Sequence, residues 1–68
     1  MAEDEEINLK SAYRAASDKY SLLVMKLADL GVALPLTEYA ALHRQVEFAR
    51  IRVEAARLAI MAYRAAKP

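Results

Sequence analysis

The 68-residue sequence predicts an all-α fold, an antiparallel two-helix hairpin that dimerises into a four-helix bundle. Three observations carry this expectation. Apolar residues recur in two long heptad series. Helix breakers are scarce, with one Gly and two Pro. A cluster of turn residues, "DLGVALP", sits near the middle of the chain. Hydrophobic residues make up 57% of the chain, too many for a disordered segment. Many are Ala and Leu, which lose little on entering a helix. Val, Ile and Thr are too few to build several strands.

The first helix is expected over residues 4–30. Leu9, Tyr13, Ala16, Tyr20, Leu23, Leu27 and Leu30 follow one another at alternating steps of four and three. That spacing makes one apolar seam, the a and d positions of a heptad. Ser17 and Asp18 are weak helix formers, but the seam passes them without a phase shift. Asp4, Glu5 and Glu6, with Glu3 before them, favour the positive end of the helix dipole.

The turn is expected over 31–36. Gly31 suits the left-handed position after a helix, with Val32 folding back onto Leu27 in a Schellman cap. Pro35 biases Leu34 towards extended backbone. Thr37 is the expected N-cap of the second helix, and Pro35 as first helical residue is the alternative start.

The second helix is expected over 37–66, with a seam of Tyr39, Leu42, Val46, Ala49, Val53, Ala56, Ile60 and Tyr63. A short connection makes the two helices antiparallel neighbours, with Leu30 near Tyr39 and Leu9 near Tyr63. The second helix carries another apolar series, at the c and f positions: Ala41, Phe48, Ile51, Ala55, Leu58, Ala62 and Ala65. At about 100° per residue its centre lies roughly 160° from the seam. The first helix has a shorter counterpart in Ala15, Leu22 and Met25, interrupted by Asp18 and Asp29.

One hairpin covers one face of the second helix and leaves the other as an apolar patch, which soluble monomers avoid. The predicted function is therefore a small non-enzymatic module for oligomerisation or protein interaction. Its interface is predicted at Ala15, Leu22, Met25, Ala41, Phe48, Ile51, Ala55, Leu58 and Ala62. The expected partner is a second copy, in a dimer, or else another helical protein.

Other chemistries have less to work with. Arg50, Arg52, Arg57 and Arg64 are the alternative site, for nucleic acid. Net charge is only +1, and Glu47 and Glu54 stand three or four residues from Arg44, Arg50 and Arg57. Such spacing makes a salt-bridged flank. The tyrosines fall on the seams, away from the arginines, where packing explains them; a ligand pocket between Tyr13 and Tyr63 is the other reading. Met25 and Met61 read as gap-fillers.

No cysteine is present and His43 is the single histidine, so neither a thiolate site nor a His-rich metal site can form. His43 and Glu47 stand i, i+4, but no Glu-x-x-His motif accompanies them. No metal or cofactor is expected. Ser11, Ser17 and Ser21 have no evident base partner, and no glycine-rich phosphate loop is present, so no catalytic residue is assigned. Uncharged runs fall far short of a membrane span. The second helix divides its apolar residues between two faces, unlike a membrane-surface helix. The acidic start "MAEDEE" is the opposite of a secretory signal, so the expected location is cytoplasmic.

Overall fold

The computed structural model describes residues 2–67, and the side chains of Ala2 and Glu3 lie outside that description, so the first N-terminal acid is left aside. Helix α1 runs Ala2–Leu30, a 3-10 turn follows over Gly31–Ala33, and helix α2 runs Leu36–Ala66. There is no strand among the described residues. The two helices pack along one another as an all-α hairpin measuring 52 × 14 × 13 Å.

Packing follows the heptads. Leu9, Tyr13, Ala16, Tyr20, Leu23 and Leu27 are half-buried on α1. Leu42, Val46 and Ala49 are buried on α2, at 6%, 7% and 4% exposure. Val53, Ala56, Ile60 and Tyr63 are half-buried towards the open end. Asp18 and Lys19 point outward, and Ser17 on the seam's edge does not break the helix. The buried core thus lies in the turn-side half of α2, starting past Tyr39, a seam residue that is 38% exposed.

The turn differs from the sequence expectation in four ways. Gly31 does not adopt the left-handed conformation, since no described glycine has positive φ. It lies in the 3-10 turn and is buried. A Cβ there would meet Tyr39 Cε2 at 3.1 Å and Leu27 Cδ1 at 3.6 Å. The glycine therefore serves close approach of the Tyr39 ring, and no Schellman cap forms. Val32 is 99% exposed instead of folded onto Leu27. Leu30 is 45% exposed, because the chain tightens into the 3-10 turn there and Gly31 takes the place beside Tyr39. Thr37 is not the cap: α2 starts at Leu36, and Pro35 is its N-cap residue without a side-chain hydrogen bond. The Pro35 carbonyl accepts the Tyr39 N–H at 2.9 Å. Leu34 is extended, at φ −80° and ψ 142°, as the following proline requires.

At the open end the Arg64 guanidinium lies 3.8 Å from the Glu6 carboxylate. This pair ties the start of α1 to the end of α2. Its signal in the sequence is the α1 seam continued one step back from Leu9 to position 6.

Candidate interaction faces

The apolar c and f residues are laid out by helix geometry on the sides of α1 and α2 that face away from the seam. On α2, Phe48 is 62% exposed, Ile51 54% and Leu58 51%. Ala41, Ala55, Ala62 and Ala65 lie exposed among them. On α1, Leu22 is 67% and Met25 60% exposed, with Ala15 exposed one turn or more away. The two sets do not form one surface. With the seams facing inward, the outer stripe of α1 and the outer stripe of α2 look in opposite directions. The α2 stripe is the longer and is unbroken from Phe48 to Ala65.

Two shallow, adjoining grooves run along one side between the helices. The larger, about 420 Å3, is lined by Lys19, Leu23, Gln45, Phe48, Ala49 and Arg52. Its neighbour, about 350 Å3, is lined by Ala12, Ala15, Ala16, Lys19, Ala49 and Arg52. Ala15 and Phe48 border these grooves as well as their own outer stripes. Lys19 and Arg52 flank both. Neither groove is lined by Tyr13 or Tyr63.

The opposite flank of α2 carries ion pairs. Arg50 Nε donates to Glu47 Oε2 at 3.1 Å, and its Nη2 lies 3.0 Å from the same oxygen in an ion pair. Arg57 donates to both carboxylate oxygens of Glu54, from Nε at 3.2 Å and from Nη2. The Arg57 hydrogen bond holds the Glu54 carboxyl below the ordinary range, and the same bond raises Arg57. Three of the four arginines in the candidate nucleic-acid set are therefore paired with carboxylates: Arg50, Arg57 and, through Glu6, Arg64. Such pairing lowers the positive field of this flank.

Met61 differs from the gap-filler expectation. It is 51% exposed beside the α2 stripe, and its Sδ accepts Arg57 Nη1–H at 3.2 Å. A position one residue before the c series has no neighbour from α1 to fill against. His43 is exposed and stacks on Tyr39, with ring centroids 6.2 Å apart. Lys67 lies over the Tyr63 ring at 5.0 Å. Among the described residues no group of three or more His, Cys, Asp or Glu side chains converges. Nor is any helix among the described residues long and apolar enough to cross a membrane.

No known family model, curated protein or solved structure matches the chain. The geometry of its faces therefore carries the functional reading.

Proposed function

We propose that this hairpin is a non-enzymatic helical interaction module whose outer α2 face is covered by another helix when it works. The observation that carries the reading is the row Phe48, Ile51 and Leu58, each more than half exposed along one side of α2. Surface area supports it. A folded monomer of 7.6 kDa exposes about 4,300 Å2. This chain exposes 5360 Å2, about 1,000 Å2 more. A stable protein interface covers about 800 Å2 on each partner. The radius of gyration, 15.5 Å, also exceeds the roughly 11 Å of a compact chain of this length.

The simplest cover is a second copy, giving a dimer of four helices. In this reading the ion-paired flank keeps the border of the interface soluble and adds little binding energy, because exposed pairs contribute about 0–1 kcal/mol.

Light scattering after size exclusion tests the proposal. The expected mass is twice 7.6 kDa at tens of micromolar. Phe48→Glu and Leu58→Glu should halve that mass or unfold the chain, because each would place an unpaired charge in the interface. A monomeric parent chain, or either variant folded at unchanged mass, overturns the reading.

A further inference from the structure

We infer that the cover is α2 of a second copy, lying antiparallel, with each bulky outer residue seated on an alanine. This rests on the interaction-module reading and names its partner and register.

The outer stripe alternates in size. Phe48, Ile51 and Leu58 are large, and Ala55, Ala62 and Ala65 are small. Two antiparallel helices pair a residue of one c/f layer with the complementary residue of the other. One register places Phe48 opposite Ala65 of the second copy, Ile51 opposite Ala62, and Leu58 opposite Ala55. Each pairing occurs twice about a two-fold axis beside Ala56 and Arg57. Large-on-small contacts fill the layer evenly and let the backbones approach closely. The overlap spans about 20 residues, or roughly 30 Å.

Charge agrees with this register. Arg52 comes beside Ala59 of the copy, and Glu54 beside Met61. Arg44, which also occupies an f position, falls outside the overlap. Sliding the pair by one heptad towards the turn brings Arg52 onto its own counterpart and Glu54 onto its own counterpart, and sliding it one heptad the other way leaves Phe48 and Ile51 opposite nothing past the end of α2 at Ala66. A parallel arrangement stacks Arg44 on Arg44 within the stripe, and puts Phe48 on Phe48 while leaving gaps at Ala55 and Ala62. It offers Glu47–Arg52 pairs in return, but exposed pairs contribute less than burying like charges costs. The groove beside the seam is a poorer seat for a copy. Lys19 and Arg52 line both its segments, and no acid stands three or four residues from either.

The chain has no cysteine, so one introduced thiol carries a single label. Thr37 is exposed, makes no capping bond and lies at the turn end of α2. Thr37→Cys carrying a spin label gives the distance between copies. The expected value is about 60 Å, from a rise of about 1.5 Å per residue on each side of the axis. With a dimeric mass, a distance under about 25 Å means a parallel pair and about 48 Å means the slipped register; each overturns this inference and leaves self-association standing. A monomeric mass overturns both. A size swap checks the contacts directly. Ile51→Ala and Ala62→Ile should each weaken the dimer about tenfold or more, and the double variant should return to within about threefold of the parent. Absence of that rescue overturns the register.

Discussion

Leu42 and Phe48 stand six residues apart on one helix and meet opposite surroundings. Leu42 is 6% exposed against α1, while Phe48 is 62% exposed on the far side. The inner face has Leu42, Val46 and Ala49; the outer face has Phe48, Ile51 and Leu58. Their hydrophobic content is similar. What separates them is a neighbour, and α1 can supply only one. The difference teaches that an apolar stripe records a demand for cover and leaves the identity of the cover open.

The largest effect is expected where cover exists. Val46→Asp places an unpaired carboxylate at a position 7% exposed. The expected cost is about 4 kcal/mol or more, comparable to the whole stability of a domain this small. Helical circular dichroism should collapse at every protein concentration. Phe48→Glu should instead act through association, so its loss of mass or helicity should be relieved at high concentration. If the two variants show the same concentration dependence, the contrast between the faces is wrong.

A smaller effect separates two roles for Gly31. A left-handed cap glycine would lose about 1 kcal/mol or more on becoming alanine. Gly31 has no positive φ, so alanine suits its backbone. The new Cβ would press on Tyr39 at 3.1 Å, but that ring is 38% exposed and can swing outward. Gly31→Ala should therefore change stability by less than about 0.5 kcal/mol, as the two small effects offset. Thermal or denaturant melting measures it, and a loss beyond 1 kcal/mol would show that the turn cannot yield.

The smallest effect lies on the ion-paired flank. The Glu54 pKa is lowered from 4.5, first by the Arg57 hydrogen bond. A lowered folded value makes its stabilisation complete above the unfolded pKa and lost as pH falls through the folded one. Melting temperature should fall slightly less between pH 6 and pH 3 in Glu54→Gln than in the parent, and added salt should shrink the gap. An identical acid response in both chains would mean that the pair contributes nothing to folding.

Periodicity made the two helices and most seam residues legible, because a heptad spacing puts side chains on one side of a helix wherever the chain is placed, and the short connection made their antiparallel packing legible. Leu42, Val46 and Ala49 were readable in this way. The extended Leu34 was readable too, because a proline constrains the residue before it through local sterics. The outer stripe was legible as a set of positions, but its division into separate α1 and α2 faces needed the packed hairpin.

The sequence by itself determined which residues share a helix face and where the helices stop, since both depend on local geometry and spacing. Only the tertiary structure decided that Gly31 makes room for Tyr39, that Arg64 reaches Glu6, and that Met61 lies exposed under Arg57. The first two join residues from different elements, and the third depends on where α1 does not reach. Distances of that kind exist only after the helices have packed.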